Sequence, residues 1–404
     1  MKRYIPGIFV AGFSLFMFGI PLLLADEANK SMDHALQFAQ GQLKKSVAQI
    51  KDPTLLVRST APDGSWKTIK ASDWTSGFFP GLLWMASEYS SGSEFRPWAE
   101  KWTATLEEQK KNTGDHDVGF RIFCSYGNGY RLTHKADYQE VILATAASLA
   151  TRFNPRVGCT RSWNHGTWTF PVIIDNMMNL ELLFWASKNG GDPAWFDMAV
   201  KHAQTTMQNH VRPDGGTYHV VDYHIETGAV IKKQTHQGYQ DESTWGRGHA
   251  WAIYGFTVAY RETGDHRFLE TAQKLANYFI SRLPADSVPY WDFQAPGIPN
   301  EPRDSSAGAI AASGILELST LVPDKKEREK LRQAAHAILE SLCSPSYLAE
   351  GTKLSSILQH ATGHKPKDTE VDVGLIYGDY YFLEALLRYK NPKRIPKPTP
   401  RPKI

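Results

Sequence analysis

Cysteine is scarce, with three in 404 residues, at positions 124, 159 and 343. An odd number at scattered spacing matches no metal pattern, so a disulfide-stapled scaffold and a structural zinc site are excluded. Net charge is nearly absent: Lys and Arg number 45 against 42 Asp and Glu. Lys2, Arg3 and the five basic residues after Lys390 make up the excess. Removing those seven leaves 38 against 42, a net of −4. Such a body offers no basic face to a nucleic acid. A glycine-rich phosphate loop is also missing, and no Cys/His cluster argues for a cofactor. A charged fraction of 22% with 42% hydrophobic residues excludes a disordered chain.

Aromatic residues are plentiful, at 12% of the chain with 12 Trp. Trp fills cores, and its flat face is also a platform for sugar rings. Residues 1–25 read as a secretion signal: Lys2 and Arg3, then an apolar run from Ile8 to Leu24, with Ala25 before Asp26-Glu27. Leu23 stands where a small residue is preferred, so an uncleaved membrane anchor is the competing reading. No Cys follows the run closely, which argues against a lipoprotein. The expectation is export across the inner membrane to the periplasm.

From residue 30 onward the apolar spacing is helical. Met32, Ala35, Leu36, Ala39 and Leu43 share one face of a helix over 30–50. Further helices are predicted over 74–89 and 97–112, and then in pairs: 119–132 with 136–153, 171–188 with 193–210, 245–262 with 266–283, and 305–321 with 325–342. A last helix covers 373–389. One member of each pair is rich in Gly, Ala and aromatics and the other is more charged, as when inner helices pack together and outer ones shield them. The pairs recur about six times, and no capping repeat is evident at either end. The predicted fold is therefore all-α, an (α/α)6 barrel occupying 26–390 as one domain. A single β-hairpin is expected over 216–223 and 229–235, and the Pro- and Lys/Arg-rich tail 391–404 is expected to be disordered.

The stretch Val172–Ala186 is apolar nearly all round, as in a helix buried on most sides. Asp175 falls in its first turn with no Lys or Arg nearby in sequence. A carboxylate there is either an N-terminal cap or a desolvated acid at a pocket mouth, and the stretch alone favours the cap. Inner-helix starts in such a toroid converge on one mouth. The polar and aromatic groups expected there are Trp74, His116, Asp117, Trp163, Asp175, His219, Gln237, Trp245, Arg247, His249 and Trp251. Each alone has a structural explanation. Together, two carboxylates, an Arg, several His and Trp walls suit an acidic sugar.

Seven segments carry a resemblance. They are Ser72-Asp-Trp-Thr-Ser-Gly-Phe-Phe-Pro-Gly81, His116-Asp-Val-Gly-Phe120, Ile173-Ile-Asp-Asn-Met-Met-Asn-Leu180, Thr235-His-Gln-Gly-Tyr239, the run from Ser243 to Phe256, Asp304-Ser-Ser-Ala-Gly308 with its continuation to Gly314, and Gly374-Leu-Ile-Tyr-Gly-Asp-Tyr-Tyr381. In this order the chain resembles the unsaturated glucuronyl hydrolases of glycoside hydrolase family 88. The resemblance implies an enzyme that hydrates the C4=C5 double bond a polysaccharide lyase leaves on a uronate, with no metal and no cofactor. By motif position Asp175 would be the general acid/base, and Asp117 would hold substrate hydroxyls and help set its charge. His116, His219, Gln237, Arg247 and Trp251 would line the uronate subsite, and Trp74 and Trp163 would stack or position. His364 and Lys365 fall where the family loop varies with sulfation; they meet a sulfate or form a solvated loop. The substrate would be a glycosaminoglycan-like oligosaccharide. Alternatives are an unsaturated rhamnogalacturonyl hydrolase on pectin fragments, an inverting glycosidase on saturated sugar, and a non-catalytic binder of acidic oligosaccharides.

Overall fold

The computed structural model describes residues 19–90 and 94–399, with side chains from residue 29 onward. Most of the expected signal segment, residues 2–18, lies outside the described residues, as do 91–93 and 400–404. No helix among the described residues is long and apolar enough to cross a membrane.

Helices α1 (Gly19–Ile50), α2 (Phe78–Tyr89), α3 (Phe95–Ala104), α4 (Asn128–Thr133), α5 (Ala136–Ala150), α6 (Asn176–Lys188), α7 (Ala194–Asn209), α8 (Gly246–Thr263), α9 (His266–Arg282), α10 (Ser305–Leu321), α11 (Lys325–Leu342) and α12 (Ile376–Lys390) make up the body. A π-helix, Gly119–Gly127, runs directly into α4. The even-numbered helices, with that π-helix, close a ring in the order α2, π/α4, α6, α8, α10, α12 and back to α2. The odd-numbered helices stand outside it. This is the (α/α)6 barrel expected from the alternation of apolar and charged helices. The inner α8, α10 and α12 are buried over nearly their whole length, whereas α9 and α11 bury only one stripe. Small residues let the inner ring close: a Cβ on Gly255 of α8 would lie 2.4 Å from Cβ of Met177 on α6.

Among the described residues, nine short strands sit at the N-terminal mouth of this ring or close to it: β1 (Leu56–Thr60), β2 (Trp66–Ile69), β3 (Phe153–Asn154), β4 (Cys159–Thr160), β5 (Pro171–Ile173), β6 (Val220–Tyr223), β7 (Val230–Gln234), β8 (Ala361–His364) and β9 (Thr369–Val373). The expected hairpin is β6–β7, and a third strand joins it. Pro171–Ile173 pairs antiparallel with Val220–Asp222, so the helix predicted from Pro171 begins only at Asn176. The β-branched Val172 and Ile173 and the proline favour the extended form once a partner strand is present. The predicted start of α2 at Trp74 also moves, to Phe78, because Asp73 Oδ1 accepts the Thr75 N–H (2.9 Å) and holds a turn. Three hairpins went unforeseen: β1–β2, β3–β4 and β8–β9.

The tail is not disordered over residues 391–399. Ile395 is buried, the Arg394 guanidinium meets Glu88 (3.2 Å), and the Thr399 N–H donates to the Arg261 carbonyl (3.1 Å). These contacts close the far mouth of the barrel, over a cavity of about 730 Å³ lined by Glu181, Arg261, Glu384 and Arg388. That cavity sits at the opposite ends of the inner helices from Asp175. A chain ending at Lys390 should therefore lose about 2 kcal/mol, the burial of one Ile and its ion pairs, and melt a few degrees lower. Its KM for small substrates should be unchanged. A Tm equal to the full chain's would show the segment contributes nothing.

Candidate active site

The loops entering the inner helices carry the chemistry. Asp175 immediately precedes α6, yet its side chain caps nothing. It is buried, and its Oδ1 has no hydrogen-bond partner among the described residues. The cap reading therefore gives way. Burial pushes the Asp175 carboxyl up to about 7, with the Arg247 charge restraining the rise. Asp117, at the start of the π-helix, is driven well above the ordinary carboxylate range by burial first, then by Asp115 and, further down, by Asp175 and Asp73. The Asp175 charge is thus one of the causes that raise Asp117, behind burial and the nearer Asp115.

Asn176 and Asn179 on α6 fix the surroundings. Asn176 Nδ2 donates to the Thr160 carbonyl (2.8 Å) and its Oδ1 accepts from Ser162 Oγ (2.7 Å), which holds the loop that carries Trp163. Asn179 Oδ1 accepts the Phe120 N–H (3.1 Å), and its amide donates to His116 Nδ1 (3.3 Å). His116 Nε2 therefore bears the hydrogen and lies 3.3 Å from Asp117 Oδ1. Burial lowers His116 to about 3, so it stays neutral. Gly119 is required here, since a Cβ would lie 2.3 Å from Asn179 Oδ1.

His219 is held as firmly. Its Nδ1 accepts the N–H groups of His236 and Gln237 (both 3.2 Å), which leaves the hydrogen on Nε2. Nε2 is buried with no partner among the described residues, a donor awaiting an acceptor. Its ring packs on Trp245 (centroids 4.5 Å). Arg247 is sandwiched between Trp245 and Tyr377. Its terminal nitrogens are spent on Asp304 (2.8 Å) and on the carbonyls of Thr362 and Gly363. Only its Nε is without a partner, so Arg247 faces the site mainly as a fixed positive charge beside Asp175. Gln237 Nε2 shares the Gly363 carbonyl (3.2 Å).

The rings divide into two groups. Trp74 is half-buried against Phe120 and Tyr377. Trp163 stacks on His165 (5.4 Å, 10°) and meets Trp168 and His236. His364, at the end of β8, joins this second group through His236 (5.1 Å), and burial, with His236, Lys367 and Arg247 nearby, lowers it to about 4. Lys365 turns instead to Asp368 (3.7 Å) on the exposed hairpin tip. Trp251 is 0% exposed, packed between Phe120 and Tyr381, and forms the floor under the site. His249 is elsewhere, bonded to Thr217 and the Leu275 carbonyl in the wall between α8 and α9.

Sequence reasoning missed several participants. Asp115 makes a two-point pair with the buried Arg121 (2.9 and 2.8 Å) and accepts the Asp117 N–H (2.9 Å). Arg121 also binds the carbonyls of Ser72 and Asp73, which tether the Trp74 turn. A third carboxylate beside His116-Asp117 was visible in sequence; its pairing was not. Arg58 bonds Glu370 (2.7 Å), 312 positions away, and no local signal could have linked them. Among the described residues no group of three His, Cys, Asp or Glu is arranged to hold a metal ion.

With this geometry in place, comparison with protein families matches residues 45–382 to Glycosyl Hydrolase Family 88. The chain belongs to that family. A family 88 relative from Formosa agariphila called an unsaturated glucuronyl hydrolase is 45% identical over 339 residues, 82% of this chain and 84% of its own. The fold is similar to the crystal structure of an unsaturated glucuronyl hydrolase specific for heparin, with a TM-score of 0.86 at 43% identity, covering 92% of this chain and 98% of that one. It is also similar to a Streptococcus agalactiae unsaturated glucuronyl hydrolase variant complexed with dGlcA-GalNAc6S (TM-score 0.78, 30% identity, 90% and 92% covered).

Proposed function

We propose that this family 88 enzyme releases the C4=C5 unsaturated uronate from lyase-generated glycosaminoglycan oligosaccharides by hydrating the double bond. The observation that carries the reading is Asp175: a buried carboxyl with an oxygen unpartnered among the described residues, pushed up to about 7, near a second carboxyl, Asp117, that burial also raises. Asp175 donates its proton to C4 and positive charge develops at C5. Water adds at C5 and loses a proton to the carboxylate just formed. The hemiketal then opens by breaking its C5–ring-oxygen bond to give a C5 ketone, and the hemiacetal this leaves at C1 collapses, releasing the leaving sugar and a keto sugar with a C1 aldehyde. Asp117 and neutral His116 orient the ring hydroxyls, and the spare Nε2–H of His219 donates to a substrate oxygen. The Arg247 charge favours the anionic uronate and restrains the Asp175 shift. Trp163 and its neighbouring rings offer a stacking face for the second sugar. Substrate classes named for the relatives, heparin and a sulfated dGlcA-GalNAc, support a glycosaminoglycan source over pectin. The basic and apolar residues of 1–25 support export to the periplasm as part of the same reading.

The test follows loss of the conjugated uronate's ultraviolet absorbance on unsaturated disaccharides from glycosaminoglycans and from pectin. Loss on the glycosaminoglycan products is expected, with a rate that falls as pH rises through about 7, where Asp175 gives up its proton. Loss on pectin fragments alone would reassign the substrate, and no loss on any would remove the hydration chemistry.

A further inference from the structure

Two arginines stand side by side at the rim of the barrel, and no acid among the described residues touches either. Arg152 closes α5, and its guanidinium bonds the Thr113 and Arg161 carbonyls and the Asn164 amide oxygen (3.2 Å). Arg161 lies over the Phe170 ring, and no ion pair or side-chain hydrogen bond engages it among the described residues; its Nε is buried without a partner. Between them is a polar pocket of about 420 Å³, lined also by Asn154 and Asn164, with no carboxylate in its wall. The nearest acids, Asp115 and Asp117, reach Arg152 only through space, while burial and the Arg161 charge both disfavour its cation. Like charges so placed call for a counter-ion.

The pocket adjoins the proposed site, because Asn164 in its wall directly follows Trp163 of the ring cluster. We propose that it is an anion subsite, taking a sulfate or carboxylate of a sugar beyond the disaccharide in an acidic oligosaccharide. The class of ligand rests on the proposed function; the anion site itself does not. Planar guanidinium groups with neutral amides beside them suit the oxygens of either group.

The experiment compares the parent with Arg161→Gln. Inorganic sulfate, against chloride at equal ionic strength, should raise the parent's Tm and leave the variant's unmoved, and Arg161→Lys should keep part of the shift. KM for a sulfated unsaturated tetrasaccharide should rise roughly tenfold in Arg161→Gln, while that for an unsulfated disaccharide stays within about twofold. A sulfate shift that survives Arg161→Gln overturns the site. Equal loss on both substrates assigns Arg161 to loop structure and overturns it too. Lost sulfate binding with an unchanged tetrasaccharide KM restricts the pocket to small free anions and overturns the oligosaccharide assignment. Should Arg161→Gln fail to fold, Arg161→Lys with an unaltered sulfate shift and an altered tetrasaccharide KM overturns the shared site. If the parent hydrates no unsaturated uronide, the sulfate arm still reads the pocket.

Discussion

Asp175→Asn should lower kcat by roughly a thousandfold and leave KM within a few-fold. The amide keeps the shape and volume of the carboxyl, so the cavity and the neighbouring Asn176 and Asn179 contacts persist. It has no proton to give to C4. A second signature separates this from general damage. The carboxyl is shifted from 3.8 to about 7 because its anion is buried without a partner. A carboxyl with a raised folded-state pKa favours folding most below its unfolded value and progressively less as pH climbs to the folded one. The parent should thus lose stability relative to Asp175→Asn between about pH 4 and pH 7, by an amount of order a few kcal/mol at most. Parallel melting curves across that range, with near-normal kcat, would remove Asp175 from the role of acid.

Asp304→Ala should be the most destabilising single change at the site. Asp304 is 0% exposed, and its Oδ2 holds Arg247 at 2.8 Å. Its Oδ1 accepts the N–H groups of Ser306 and Ala307 at the start of α10. Removing it strands a buried guanidinium and uncaps an inner helix, a loss of about 3–5 kcal/mol and a fall in Tm of roughly 10 °C. KM should rise as well, because Arg247 grips β8 through the Thr362 and Gly363 carbonyls and so sets Gln237 and His364. A fall in Tm under about 2 °C would mean that Arg247 finds its counter-charge elsewhere. Asp304→Asn, which keeps the cap, should recover part of the loss.

Asp304 also illustrates what could be read in advance. Its motif stood out in the sequence, but whether it served chemistry or structure did not, since Arg247 is 57 residues away. Asp379, in the motif around Tyr377, is likewise structural: its two oxygens accept the Ile357 and Leu358 N–H groups. Arg247 was expected to meet the uronate directly, and the terminal nitrogens of its guanidinium are instead committed within the protein. Trp251 was expected to line the subsite and is its buried floor.

The sequence by itself determined the helix periodicity, the division into inner and outer helices and hence the closed barrel. Those follow from which faces must leave water, a property of local spacing. It also singled out Asp117, Asp175 and His219 as candidates, because the loops that begin inner helices share one mouth. Tertiary structure alone decided which carboxyl is unpaired, which histidine nitrogen bears the hydrogen, and that Arg152 and Arg161 stand together without an acid. Charge states and hydrogen-bond partners depend on groups brought together from distant segments, and no local pattern encodes that proximity.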